Sequence, residues 1–89
     1  MKSHITADFR KAYRKLPREV RHQAQKNYRL FRENPAHPSL RFKSIHPSKP
    51  YYSVRASLGY RAVGIRDGEV MIWFWIGSHT DYDRLIARL

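Results

Sequence analysis

The sequence predicts an α+β fold: an N-terminal helical hairpin packed on one face of a four-stranded antiparallel twisted sheet, with a short C-terminal helix closing the chain. Three observations carry this reading. Apolar residues in the first third recur with a period of about 3.6. From Leu40 onward the period falls to 2. Turn signals then separate the alternating runs so closely that each strand pairs with the next, and a run of helices followed by a run of strands segregates the two into layers. With 89 residues the chain is a single domain over 1–89, burying about 60% of its unfolded surface.

Phe9, Ala12, Tyr13 and Leu16 stand at i, i+3, i+4 and i+7, and Thr6 is placed to cap that helix. Pro17 interrupts and restarts a second helix, whose apolar stripe is Val20, Ala24, Tyr28 and Phe31. Its other face is basic, from Arg18, Arg21 and His22 through Lys26 and Arg29 to Arg32, and Asn34-Pro35 closes it. The first strand is predicted at Leu40-Arg41-Phe42-Lys43, where apolar and basic residues alternate. A polar loop, His46 to Pro50, leads to a second strand with Tyr52, Val54 and Ala56 on one side and Ser53, Arg55 and Ser57 on the other.

Gly59 marks a tight connection to the strand Tyr60–Ile65, and Asp67-Gly68 is a two-residue hairpin signal into the last strand, Val70–Ile76. That strand is apolar on both faces, with Val70, Ile72, Phe74 and Ile76 on one and Met71, Trp73 and Trp75 on the other, so it belongs in the middle of the sheet. Both tryptophans are assigned to the core. Ser78 followed by Asp81 reads as a capping box that opens the final helix, Thr80–Leu89. The order is ααββββα.

Eighteen Lys and Arg against seven Asp and Glu give a formal charge of +11. A field of that size implies a polyanionic partner and salt-dependent binding through counterion release. The absence of cysteine excludes disulfide scaffolds, thiolate zinc sites and cysteine nucleophiles. No two histidines stand at i+3 or i+4, and carboxylates are few, so no metal site is predicted. No apolar run is long enough to span a bilayer, and the chain is read as cytoplasmic, with no membrane partner and no cofactor.

Alternation places Arg41 and Lys43 on one face of their strand and Arg55 on the polar face of the next, opposite the helices, where they suit a phosphate backbone. Arg61 shares parity with Val63 and Ile65, which leaves its face open; solvated strand residues that discourage edge pairing are the alternative reading of all four. His79 follows the central strand at the start of the last helix. It is the side chain type whose ordinary titration falls near neutrality, which fits proton transfer. Tyr82, one turn on, is open to proton donation, base stacking or plain packing. Asp81 and Asp83 are read as capping and helix-dipole residues.

The chain resembles the RelE/ParE superfamily of type II toxin–antitoxin toxins over nearly its whole length. The residues that carry the resemblance are Leu30-Phe31 to Asn34-Pro35, His37-Pro38-Ser39-Leu40-Arg41-Phe42-Lys43, Tyr52-Ser53-Val54-Arg55, Gly59-Tyr60-Arg61-Ala62, and Trp75-Ile76-Gly77-Ser78-His79 through Tyr82-Asp83-Arg84-Leu85. It implies a RelE-like fold and a toxin of the plasmid-stabilisation type, with a cognate antitoxin as protein partner.

The ribonuclease branch of that family inhibits translation by cutting mRNA in the ribosomal A site, activating a ribose 2′-OH against the adjacent phosphate without a metal. Carried over, Arg61 binds the scissile phosphate, Lys43 and Arg55 assist, and His79 is the acid or base with Tyr82 as a second proton-transfer candidate. The tail Ser78-His79-Thr80-Asp81-Tyr82-Asp83 lacks the Lys/Arg cluster and late tyrosine of the RelE type and is closer to other ribonuclease toxins of the superfamily. Two further functions stay open: a ParE-type inhibitor of DNA gyrase, and a non-catalytic basic nucleic-acid-binding module.

Overall fold

A computed structural model describes every residue from Met1 to Leu89. The elements are β1 (Lys2–Ile5), α1 (Ala7–Arg14), α2 (Arg18–Glu33), a 3-10 turn at Pro38–Leu40, β2 (Lys43–Ser44), β3 (Tyr51–Ser57), β4 (Tyr60–Asp67), β5 (Val70–Ser78) and α3 (His79–Arg88). The helices start and stop for the reasons the sequence offers. Thr6 Oγ accepts the N–H of Phe9 at 3.1 Å, Pro17 precedes the first residue of α2, and Asn34 ends it ahead of Pro35. No helix is long and apolar enough to cross a membrane.

The sheet has five strands in the order β1-β5-β4-β3-β2 and is mixed, which corrects the four-stranded antiparallel expectation. The added strand, β1, runs parallel to β5 in the register Lys2↔Val70 to Ile5↔Trp73. Lys-Ser-His-Ile is short and shows no apolar alternation, so nothing local announces it. Tertiary bonds create it: Thr6 N–H donates to Trp73 O at 3.0 Å, and the Trp73 indole N–H donates to Ser3 Oγ at 2.8 Å. A buried indole needs such a partner, and β1 supplies it. With β1 outside it, β5 is an interior strand.

The strand expected at Leu40–Lys43 is mostly a turn. His37 Nδ1 accepts the N–H of Ser39 at 3.2 Å, Pro38 opens the 3-10 turn, and Arg41 follows in the left-handed region with φ 49°. Only Lys43 and Ser44 pair, with Ser53 and Tyr52. The alternating pattern was real but served a different geometry: Leu40 is fully buried at the end of the turn, and Phe42 packs edge-on against Phe31 at 5.0 Å.

Both long helices lie on one face, but each follows its own strand, α1 over β5 and α2 over β3. Tyr13 ties them near their junction, donating to Arg21 O at 3.3 Å and accepting from Gln25 Nε2 at 2.7 Å. Between them the core opens into a cleft of about 390 Å³ floored by Val54, Ala56, Ala62, Trp73 and Ile76. Phe31, Leu40, Met71 and Trp73 are the buried centre of this layer.

A β-bulge decides which residues of β5 join that core. Gly64 pairs with Trp73 and Val63 with Trp75, so Phe74 has no partner and the alternation slips there. Met71, Trp73 and Ile76 therefore face the helices, while Ile72, Phe74 and Trp75 face away. This corrects the strict two-face assignment, and with it the placement of Trp75 in the core, since Trp75 is only half-buried.

The bulge depends on Gly64, where an added Cβ would lie 2.6 Å from Ile72 O and 2.9 Å from both Met71 Cε and Trp73 Cε3. Backbone on one side and packed side chains on the other leave no room. Gly64→Ala is expected to destabilise the protein by about 1–3 kcal/mol, read as a fall in Tm by thermal unfolding. The turns conform to the sequence more closely: Gly59 and Gly68 take positive φ of 77° and 60° in the β3–β4 and β4–β5 hairpins.

Candidate functional site

The sheet face turned away from α1 and α2 carries the candidate residues. Cross-strand partners share a face, so the registers set out its rows. Lys43, Ser53, Val63 and Trp75 form one row, and Arg55, Arg61 and Gly77 the next, about 6.6 Å away along the strands. Arg61, whose face parity alone left open, thus lies beside Arg55 on the side opposite the helices. Gly77 keeps the row clear, because a Cβ there would stand 2.7 Å from Trp75 Cζ2.

Two arginines directly opposed across a ladder repel. No acidic side chain bridges them in the structure. Arg55 Nε is shielded from solvent yet has no hydrogen-bond partner, and Arg61 Nη1 reaches only Tyr60 O, at 3.3 Å. Partial burial, then the charge of Arg55, push the Arg61 guanidinium below its ordinary pKa; Tyr82 opposes this and Arg41 adds to it. The group stays protonated near neutrality, so it is a cation held in surroundings that disfavour it. An anion placed there relieves both the repulsion and the unmet donors.

The start of α3 brings the second chemical group. Ser78 caps the helix by accepting Asp81 N–H at 3.2 Å, as its spacing predicts. His79 N–H donates to Gly59 O at 2.8 Å, fastening the β5–α3 junction to the β3–β4 hairpin. The His79 imidazole itself is half exposed, with Nδ1 3.4 Å from Asp83 Oδ2, which leaves Nε2 directed away from that carboxylate. Its ring centroid lies 5.6 Å from that of Tyr82.

Tyr82 is buried, and its hydroxyl donates to Ser53 Oγ at 3.1 Å on the same sheet face. The structure thus gathers Arg41, Arg55, Arg61 and Tyr82 into one electrostatic neighbourhood, with His79 in ring contact through Tyr82. Lys43 stands one row away at the edge, exposed. Asp83 was missed: read as a helix-dipole residue, it instead pairs with His79, and the i, i+4 spacing of the two was the available signal. Asp81 gives only its backbone N–H to the Ser78 cap; its carboxylate does not return to Ser78 as a full capping box requires and lies 3.6 Å from Arg84 instead. No three His, Asp or Glu side chains come together in a group able to hold a metal ion.

Comparison with known proteins agrees with this architecture. The family model of the ParE-like toxin domain matches residues 18–84. Among solved structures, RelE in the RelB–RelE antitoxin–toxin complex of Methanococcus jannaschii superposes with a TM-score of 0.73 at 18% identity, over 91% of this chain and 96% of that one. The isolated Escherichia coli RelE toxin gives 0.62 at 24% identity, over 98% and 96%. The YoeB/ParE toxin of Agrobacterium tumefaciens gives 0.66 at 15%, over 89% and 99%. At these identities the likeness is one of fold. No curated protein matches the chain in sequence.

Proposed function

Because the chain belongs to the family of ParE-like toxins, we propose that it is the toxin of a toxin–antitoxin pair and acts as an endoribonuclease on ribosome-bound mRNA. The observation that carries the reading is the unneutralised Arg55–Arg61 pair beside an exposed, carboxylate-held His79. In the reaction proposed, a base removes the proton of a ribose 2′-OH. The 2′-oxygen then bonds to the adjacent phosphorus as the bond from phosphorus to the 5′-oxygen breaks. An acid returns a proton to that 5′-oxygen, leaving a 2′,3′-cyclic phosphate.

His79 Nε2 supplies one of those proton transfers, with Asp83 orienting the ring through Nδ1. Arg61 contacts the non-bridging oxygens, whose charge rises in the transition state, and Arg55 shares that contact. Arg41 and Lys43 hold the neighbouring phosphates as fixed charges. The M. jannaschii relative was solved with RelB, which supports a cognate antitoxin as the protein partner of this chain.

Tyr82 is assigned a positioning part, since its hydroxyl is spent on Ser53. Tyr82→Phe is expected to cost about 1 kcal/mol of stability, seen as a lower Tm, while the pattern of RNA ends persists. Loss of cleavage at unchanged stability would make it a proton donor instead.

The test is brief expression in a bacterial host with mapping of mRNA 5′ ends, with and without a translation inhibitor. New ends that depend on translation are expected. The family match keeps gyrase inhibition as the second reading, and growth arrest with DNA damage but no new RNA ends would replace the first by it.

A further inference from the structure

Beyond Tyr82 the open face of the sheet is aromatic, and we propose that it is a stacking platform for the bases of single-stranded RNA, reached from the Arg61 site along the exposed Lys43 edge. The inference rests on the ribonuclease reading and identifies how the strand is held. Tyr51 lies on the face of Ser53 and Arg55; it pairs with Ile65, which pairs in turn with Ile72. Phe74, two residues on from Ile72, lies on the same face, with its ring 6.1 Å from that of Tyr51, and on the other side the His46 ring is 5.8 Å away. The three rings are half-buried, and Ile65 and Ile72 are each 37% exposed. His46 is held by the loop it begins, its Nδ1 accepting Ser48 N–H at 3.1 Å and Lys49 N–H at 2.9 Å.

Fixed rings on a rigid sheet, left partly open to solvent, gain by covering a flat apolar partner, and a nucleobase is one that every RNA position offers. Charge argues for RNA over a protein segment as the occupant. Ile65 lies four residues from Arg61 along β4, about 13 Å; the row between them is buried at Ser53 and Val63, beneath Tyr82, and is exposed at its edge at Lys43, with Lys49 in the adjoining loop. A phosphodiester anchored at Arg61 and Arg55 and led toward Lys43 carries its bases over Tyr51 and Phe74. Past the platform the pair Asp67↔Val70 brings a carboxylate, so the favourable path for a polyanion ends there.

The experiment titrates the purified protein with a fluorescent single-stranded RNA whose riboses are 2′-O-methylated, so that it binds without being cut, across a series of salt concentrations. Tyr51→Leu and Phe74→Leu are each expected to weaken binding roughly 5- to 150-fold, with the slope of log Kd against log salt unchanged because stacking releases no counterions. Tyr51→Phe should bind as the wild type does. Arg61→Ala should reduce that slope by about one. The wild type should bind a strand of the same length made abasic over its centre far more weakly, a comparison that needs no variant to fold.

Leucine variants that bind as tightly as the wild type, or equal affinity for the abasic strand, would overturn the platform. So would a leucine effect confined to the salt slope, or a wild type that binds neither strand. Variants with unchanged RNA affinity but an altered oligomeric state would mark the patch as a protein interface. The ribonuclease reading stands or falls separately, on the mapped mRNA ends.

Discussion

Arg61→Ala is expected to lower RNA cleavage by about 10²- to 10³-fold, the usual loss when one donor to a developing anionic charge is removed. The structure predicts that the fold will not share the loss. Arg61 makes one long side-chain hydrogen bond, to Tyr60 O at 3.3 Å, and its pKa is pushed down by burial first and by Arg55 second. A base whose folded pKa is depressed opposes folding wherever it is charged in both states, which for arginine includes the whole physiological range. Removing the charge relieves that opposition, so the variant should unfold at or above the wild-type temperature while cutting far less. Arg61→Lys keeps the charge but loses the planar fork, and should recover binding more than rate. Cleavage measured at matched protein levels, beside thermal unfolding, checks both. A fully active alanine variant would remove Arg61 from the site.

How much of this was legible depended on whether the deciding signal was local. Thr6, Pro17 and Asn34-Pro35 bound the two long helices because caps and prolines act on their own neighbours, and Gly59 and Gly68 place the hairpins for the same reason. β1 was not legible, since Lys2 to Ile5 becomes a strand only by serving Trp73 and the edge of β5. The bulge at Phe74 was not legible either, and it moved Trp75 off the face packed against α1 and α2 and Ile76 onto it. For the site, alternation placed Lys43 and Arg55 on the open face, but Arg61 needed the register Arg55↔Arg61 to be placed. Arg41 sits near them from a left-handed turn rather than from a strand. Its charge still adds to the lowering of the Arg61 pKa, although the element that carries it is a turn.

That dependence of the site on distant packing gives the largest expected effect on stability, Phe31→Ala. Phe31 is 1% exposed and stands where three segments meet, edge-on to Phe42 at 5.0 Å and to Trp73 at 5.4 Å. Truncating such a ring removes its buried area and leaves a cavity that rigid neighbours cannot close, at a cost of about 3–5 kcal/mol. Against a total of about 5–15 kcal/mol for a domain, that is a large share, and at roughly 4–8 °C per kcal/mol Tm should fall by tens of degrees. Phe31→Leu, which fills most of the space, should cost much less. The loss should also be uneven below the transition. Phe42 immediately precedes β2, which is only two residues long, so without Phe31 the stretch carrying Arg41 and Lys43 loses its anchor before the β3–β4–β5 ladder does. Amide exchange should therefore quicken first at Phe42–Ile45, and RNA affinity should drop at temperatures where the variant is still folded. Uniform exchange across the sheet, or a Tm within a few degrees of the wild type, would show that Phe31 is not the residue through which α2 holds the basic edge in place.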